Sequence, residues 1–120
     1  MARFLTTAWV DELDRAAAAL TCPVGTDVCI EHDFGGFIYH VVLADERVRF
    51  HRGPAPAATA LLAADADTAG AIARGELSAQ RAFMNGLLRV GGDALALERA
   101  LPAMRSLGDA FAGVREQTEW

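Results

Sequence analysis

The feature that most restricts the fold is a pair of adjacent glycines, Gly35 and Gly36. They lie between two segments in which apolar residues alternate with others that are more polar. Alternating segments joined by a two-residue glycine turn are typical of a tight β-hairpin. The turn sets which residues of segments 26–34 and 37–44 face each other. A shift by one residue would bury the charged side chains, so the pattern favours a single register.

One face of this predicted hairpin is apolar and aromatic. Its opposed pairs are Phe34 with Phe37, His32 with Tyr39, Ile30 with Val41, and Val28 with Leu43. The other face is mixed, because it pairs Glu31 with His40 and Asp33 with Ile38. We therefore expect the apolar face to lie in the core.

Patterns outside the hairpin predict helices and further short strands. Apolar residues recur at helical spacing from Trp9 to Leu20, which predicts an amphipathic first helix. Strands are predicted at residues 48–51, 58–63 and 87–90, and helices at residues 65–74, 78–84 and 94–99. Asp65 or Asp67 and Ser78 are suited to cap the second and third helices.

The last part of the chain predicts one more helix, which begins after the break at Pro102 and ends near Gly113. Its apolar stripe consists of Leu101, Met104, Leu107 and Phe111. The whole pattern predicts an α+β fold in which about five helices cover a five-stranded, mostly antiparallel sheet. At 120 residues the chain is expected to form one domain over residues 1–120.

The composition of the chain restricts the classes of partner that the protein can bind and the places where it can act. The net charge of −5 argues against a nucleic-acid partner, because proteins that bind phosphate backbones present a basic face. No stretch approaches the roughly 18 apolar residues that a membrane span needs. The N-terminal segment 1–5 is too short for a secretory signal, and polar residues follow it too early. We therefore expect a cytoplasmic protein. All 11 basic residues are arginines, which together with the abundant alanine is typical of a GC-rich bacterial genome.

The segment from Leu77 to Asp93 has glycines that suggest a phosphate loop, but two features oppose that interpretation. No lysine follows the glycines, and Asp93 places a carboxylate where an anion would bind.

The same segment resembles the sterol carrier protein family of lipid-binding domains. The matching positions, in the family's order and spacing, are Gly75, Gln80, Ala82, Phe83, Gly86, Arg89, Gly92 and Asp93. The resemblance implies an apolar tunnel between the sheet and the helices that takes acyl chains or sterols. It also implies that Gln80 projects into this tunnel and that Phe83 and Met84 help to wall it.

We expect a hydrophobic small-molecule ligand to contact one group of residues. They are Gln80, Phe83, Met84, Leu77, Leu87, Ile72, Tyr39, Val41, Met104, Leu107 and Phe111. A buried glutamine among apolar side chains must satisfy its amide through a ligand head group, a water molecule or the backbone. The apolar members could equally be ordinary core residues.

Catalytic and metal-binding patterns are weak. Glu31 and His40 could act as a general-base pair or form a cross-strand ion pair. His32 beside Tyr39 could move a proton if it faces a pocket, or could bond to the backbone within the core. Cys22 and Cys29 lack the spacing of paired metal ligands, so we expect reduced thiols, no metal and no cofactor.

The expected function is non-catalytic binding and intracellular transfer of a fatty acyl chain, a sterol or a related lipid. Burial of a sixteen-carbon chain contributes on the order of 12 kcal/mol of favourable binding free energy. Association and ordering of the chain offset part of this, from several kcal/mol to more than about 10 kcal/mol. Micromolar binding is therefore attainable without a charged anchor. Two alternatives are an enzyme that cyclises or isomerises a hydrophobic metabolite and an interaction subunit with a collapsed core.

Overall fold

The computed structural model describes residues 2–100 and 112–120. Its elements are β1 (Ala2–Arg3), α1 (Thr7–Ala17), β2 (Val28–Phe34), β3 (Phe37–Ala44), β4 (Arg47–Arg52), β5 (Ala60–Ala64), α2 (Ala66–Ala73), α3 (Ala79–Met84), β6 (Arg89–Gly92), α4 (94–100), α5 (Ala112–Gln117) and β7 (Thr118–Glu119). Five strands form one sheet in the order β4-β3-β2-β5-β6, and β1 pairs with β7 separately. The predicted α+β class and the mostly antiparallel five-stranded sheet are confirmed in this part of the chain.

The hairpin of β2 and β3 has the predicted register at every position from Val28–Leu43 to Phe34–Phe37. Gly35 and Gly36 have φ angles of 68° and 91°, in the left-handed region that favours glycine. The Asp33 carboxylate accepts a hydrogen bond from the Gly36 N–H at 3.0 Å and holds the turn.

The sheet contains one parallel pair among its described strands, β2 with β5. Residues 53–59 must therefore cross from β4 at one edge to β5 on the far side of β2. Two side chains of the mixed hairpin face hold this crossing. The Glu31 carboxylate accepts from the Ala55 N–H at 2.8 Å, and the His40 Nδ1–H donates to the Gly53 carbonyl at 2.9 Å.

Helix α1 begins after Thr6, whose hydroxyl accepts from the Trp9 N–H at 3.3 Å. Trp9, Leu13 and Ala17 of the predicted apolar stripe are buried, whereas Leu20 lies beyond the end of the helix at Ala17 and is only partly buried. The polar side is tied to β4, because the Asp14 carboxylate accepts from the Arg49 Nε at 3.0 Å and from the Phe50 N–H at 2.9 Å.

The capping predictions for the next two helices are confirmed. The Asp65 carboxylate accepts from the Thr68 N–H at 2.7 Å, and the Ser78 hydroxyl accepts from the Arg81 N–H at 3.1 Å. Helix α3 is only six residues long, and Ala82 is its buried position.

The two ends of the chain meet in the short β1–β7 pair. The Phe4 N–H extends this pair by donating to the Glu119 carbonyl at 2.8 Å. Trp120 then packs against Phe4, with ring centroids 4.8 Å apart, and the Arg74 guanidinium lies 5.2 Å from the centre of the Trp120 ring. The predicted stripe of Leu101, Met104, Leu107 and Phe111 lies outside the described residues.

Candidate functional site

A cavity of about 280 Å³ lies between one face of the sheet and the helices. Its lining residues are Phe4, Trp9, Leu13, His32, Phe34, Tyr39, Val41, Phe50, Leu62, Ala69, Ile72, Ala73, Ala79, Leu88, Val114, Arg115 and Trp120. Most of these side chains are aliphatic or aromatic, so the cavity suits an apolar ligand.

The sheet side of the cavity is an aromatic wall centred on Tyr39. Because side chains alternate along a strand, the hairpin register directs His32, Phe34 and Tyr39 to the same face. The Tyr39 ring lies 5.9 Å from that of Phe34 and 5.6 Å from that of Trp9, which meets it edge-on from α1. Such interlocked rings give the wall a defined shape.

His32 is the unusual member of this wall. Its side chain is buried, with 7% of the residue exposed, and its ring stacks on Tyr39 at a centroid distance of 4.6 Å. Within residues 2–100 and 112–120, the buried Nδ1 has no hydrogen-bond partner. Burial lowers the pKa of His32 to about 4, although a hydrogen bond between its ring and the Ile30 backbone partly opposes this shift. The imidazole is therefore neutral at pH 7.

Tyr39 contributes a second uncharged polar group. Burial raises the pKa of Tyr39 well above its usual value, so the phenol stays protonated. The cavity thus combines apolar walls with two adjacent neutral groups that can take part in hydrogen bonds.

One lining residue carries a full charge. Arg115 is half-buried on α5 and forms no ion pair with any residue that the structure describes. Trp120, which also lines the cavity, is 44% exposed. This part of the wall therefore borders solvent and offers a cation to the polar end of a ligand.

The residues predicted to contact the ligand fall into separate places. Ile72, Tyr39 and Val41 line the cavity. Leu77 packs beside it, against the small cluster of Ala82 and Leu88. The predicted Met104, Leu107 and Phe111 belong to the part of the chain that the structure does not describe.

The expectation that Gln80 is buried is wrong, since its side chain is exposed. Phe83, Met84 and Leu87 are also exposed, by 55%, 76% and 46%, and none of them lines the cavity. The reason is the length of α3, which has one buried position, Ala82. Gln80 and Met84 instead line a second pocket of about 370 Å³, together with Ser78, Arg81 and Asn85.

Sequence reasoning did not include several wall residues that the same patterns indicate. Trp9 and Leu13 belong to the buried stripe of α1, and Phe34 belongs to the apolar hairpin face that contains Tyr39. Their positions could have been read from helical spacing and from strand alternation. Arg115 and Trp120 had no such signal, because α5 and β7 are too short to show a period.

The catalytic pair proposed on the mixed face does not form. Glu31 and His40 face each other across the strands, but each side chain bonds to the crossing segment 53–59. In the described ranges no group of three or more His, Cys, Asp or Glu side chains is placed to hold a metal ion. The same ranges contain no helix whose length and apolar character would let it cross a bilayer.

Comparisons with known proteins agree with this geometry. The model of the SCP-2 sterol transfer family matches residues 15–101, which is more than half of the chain. A search of curated proteins finds no significant match. The fold resembles a crystal structure of sterol carrier protein 2, with a TM-score of 0.64, 22% identity, and coverage of 95% of this chain and 98% of that one.

Two further structures show the range of proteins with this fold. The solution structure of palmitated SCP2L2 from Aedes aegypti has a TM-score of 0.60 and 15% identity, and the match covers 89% of this chain and 95% of that one. The sec-alkylsulfatase Pisa1 from Pseudomonas sp. has a TM-score of 0.52 and 21% identity. Here the match covers 72% of this chain but only 13% of the sulfatase. The family model and the shared fold lead to one conclusion: the chain belongs to the SCP-2 sterol transfer family.

Proposed function

We propose that the protein binds one slender lipid, with its acyl chain inside the cavity, and carries it through the cytoplasm without chemical change. The observation that supports this proposal is the apolar cavity between the sheet and the helices. A protein with a collapsed core, which was the interaction-subunit alternative, would have no such space.

The size of the cavity favours a narrow ligand. Pockets that hold small molecules have volumes of about 300–1,000 Å³, and the space of about 280 Å³ lies just below that range. An unbranched acyl chain can follow such a space by rotation about its single bonds, whereas the rigid rings of a sterol cannot. The palmitated relative from Aedes aegypti is a precedent for an acyl chain on this fold.

Arg115 supports a ligand with an anionic end. Its guanidinium can form two parallel hydrogen bonds with a carboxylate, and it has no competing ion pair with a described residue. Because this residue borders solvent, a carboxylate there would keep part of its hydration. A free fatty acid is therefore the ligand that matches both the wall and its charged edge.

The enzyme alternative would use His32 as the proton acceptor. With its pKa lowered to about 4, His32 is a weak base near neutral pH, where general bases work best with a pKa close to the operating pH. The site is better suited to holding a ligand than to taking a proton from it.

Isothermal titration with hexadecanoate tests the proposal. We expect one ligand to bind per chain with a micromolar Kd. Ala73→Phe should weaken binding by roughly tenfold or more, since Ala73 lines the cavity and the larger ring would occupy it. Ala71→Phe is the matched control, because Ala71 has similar burial on the same helix but does not line the cavity.

Two outcomes would contradict the proposal. Equal binding by the Ala73→Phe variant and the wild type would place the ligand elsewhere. Mass spectrometry of the ligand recovered after incubation should give its original mass, and a changed mass or a new isomer on chromatography would favour the enzyme.

A further inference from the structure

Two histidines face each other on the side of the sheet that points away from the cavity. His40 of β3 and His51 of β4 are directly opposed in the strand register. Their neighbours Tyr39 and Phe50 line the cavity, and side chains alternate along a strand, so both histidines point to the opposite face. This pair is therefore separate from the proposed lipid site.

The distance between the two imidazole rings suits a shared metal ion. Their centroids are 5.1 Å apart, and their planes differ by 29°. Two imidazoles that bind one ion at about 2.0–2.1 Å, with an angle of about 90–110° between them, have ring centres about 5 Å apart. The pairing of β3 with β4 thus already holds the two rings at the separation that chelation requires.

His40 has the orientation that is common in metal-binding histidines. The residue is 8% exposed, and its Nδ1–H donates to the Gly53 carbonyl at 2.9 Å. Such a bond fixes the tautomer of a ligating histidine and leaves a lone pair on the other ring nitrogen. In His40 that nitrogen is Nε2, which is not fully buried and has no hydrogen bond to a residue that the structure describes. Its lone pair is available to an ion.

His51 offers the second nitrogen from an accessible position. The residue is exposed, so its ring can turn toward an ion without repacking of the core. The arginines that flank it on β4 each have an acidic partner, since Arg49 pairs with Asp14 and Arg52 pairs with Asp11. These pairs reduce the repulsion that a cation beside His51 would meet, and the chain has a net charge of −5.

We infer that His40 and His51 form a two-histidine site for a divalent transition-metal ion. Glu31 follows in the same row across the sheet, but its carboxylate accepts from the Ala55 N–H, and the described side chains form no set of three metal ligands. Water would fill the remaining coordination positions. Imidazole ligands suit Ni²⁺, Cu²⁺ and Zn²⁺, whereas Mg²⁺ and Ca²⁺ prefer oxygen.

A bound ion would act on the sheet and not on the cavity. It would connect β3 to β4 through their side chains, and the bond from His40 to Gly53 would extend this connection to the crossing segment 53–59. Because the two rings are held together only in the folded register, the ion would bind the folded chain in preference to the unfolded one. It would therefore raise the stability of the protein, whether or not a lipid is bound.

Isothermal titration of the protein, without an affinity tag, with NiCl₂ tests the inference. Ni²⁺ is a better probe than Zn²⁺ because the free thiols of Cys22 and Cys29 would compete for zinc. We expect one Ni²⁺ ion per chain. His51→Gln and His40→Gln should each weaken binding by roughly tenfold or more, because a single imidazole loses the advantage of two ligands held together. Glu46→Gln, the matched control, removes an exposed carboxylate at the β3–β4 turn and should leave the Kd unchanged.

Thermal denaturation gives a second measurement. An excess of Ni²⁺ should raise the Tm of the wild type by several degrees, an equal concentration of Mg²⁺ should not, and His51→Gln should lose the increase. No Ni²⁺ binding by the wild type, or equal binding by His51→Gln, would overturn the inference. Equal losses for Glu46→Gln and His51→Gln would also overturn it, because binding would then follow surface charge. Should His40→Gln fail to fold, His51→Gln still decides, since its side chain is exposed.

Discussion

The rings of His32 and Tyr39 lie parallel, 4.6 Å apart at their centroids, where β2 and β3 face each other. This contact is made by opposed residues of one hairpin, so it is set by the Gly35-Gly36 turn and by the alternation of the strands. A local turn thereby places two polar side chains on the wall of a cavity formed with distant helices.

The burial of neutral His32 predicts a pH-dependent stability. Its pKa is about 4 in the folded protein and near 6.5 when unfolded, so the unfolded chain takes up the proton first. The free energy of unfolding should therefore decrease as the pH falls from 6.5 to 4, by about 3 kcal/mol in total from this group. Above pH 6.5 and below pH 4, His32 contributes no further change to the free energy of unfolding.

Urea denaturation of the wild type and His32→Phe at several pH values between 7 and 4.5 measures this effect. The difference between the two unfolding free energies should shift steadily in favour of the variant as the pH decreases. Parallel curves for the wild type and His32→Phe would show that His32 is not buried in its neutral form.

Arg115 is predicted to select for a carboxylate. Arg115→Gln should weaken the binding of hexadecanoate by about fivefold, which corresponds to about 1 kcal/mol for a partly exposed charge pair. Binding of hexadecan-1-ol should not change, because it has no carboxylate. Arg89→Gln is the control, since Arg89 is an exposed arginine that does not line the cavity. Equal losses for the acid and the alcohol would mean that Arg115 supports the wall and not the head group.

Much of the sheet could be predicted because its signals are local. The Gly35-Gly36 turn determines how the residues of the hairpin pair, and all six predicted pairs occur. Asp65 and Ser78 cap their helices as predicted, since capping depends on residues only three positions apart.

The wall of the cavity was harder to predict because it depends on distant contacts. Phe83 and Met84 have the apolar character of wall residues, but the short α3 turns Ala82 to the core and leaves them exposed. Trp120 lines the cavity because β7 pairs with β1, a contact between the two ends of the sequence. Both strands have only two residues, which is too short for alternation to be recognised in the sequence.

Asp14 is predicted to hold α1 against the sheet. It accepts hydrogen bonds from the Arg49 guanidinium and from the Phe50 N–H, and the bond from Arg49 lowers the pKa of its carboxyl group. Asp14→Asn should lower the free energy of unfolding by about 1–2 kcal/mol, since a charged acceptor of a backbone N–H is lost. Asp11→Asn removes only the more exposed pair with Arg52 and should lower the free energy of unfolding less.

Thermal denaturation at pH 7 compares these two variants. The decrease in Tm should be larger for Asp14→Asn than for Asp11→Asn. The reverse order would indicate that the surface pair, and not the bond to the strand backbone, holds the helix in place.

Two neighbouring glycines of β6 are predicted to differ sharply in their tolerance of a side chain. A Cβ on Gly92 would lie 2.7 Å from the Thr59 carbonyl oxygen and 3.0 Å from the Ala60 Cα, and its φ of +75° is unfavourable for other residues. This close approach accompanies the hydrogen bond from the Asp93 N–H to the Thr59 carbonyl, at 2.9 Å. Gly92→Ala should therefore destabilise the protein by about 2–4 kcal/mol.

Gly91→Ala is the matched control for this prediction. A Cβ on Gly91 would meet only the Leu61 side chain, at an ordinary distance of 3.5 Å. Alanine also has less backbone freedom to lose on folding, so this variant should have a stability within about 1 kcal/mol of the wild type. Urea denaturation of both variants measures the difference. Similar stabilities for Gly91→Ala and Gly92→Ala would mean that β5 and β6 can separate enough to admit a methyl group, and that Gly92 is not required for their close pairing.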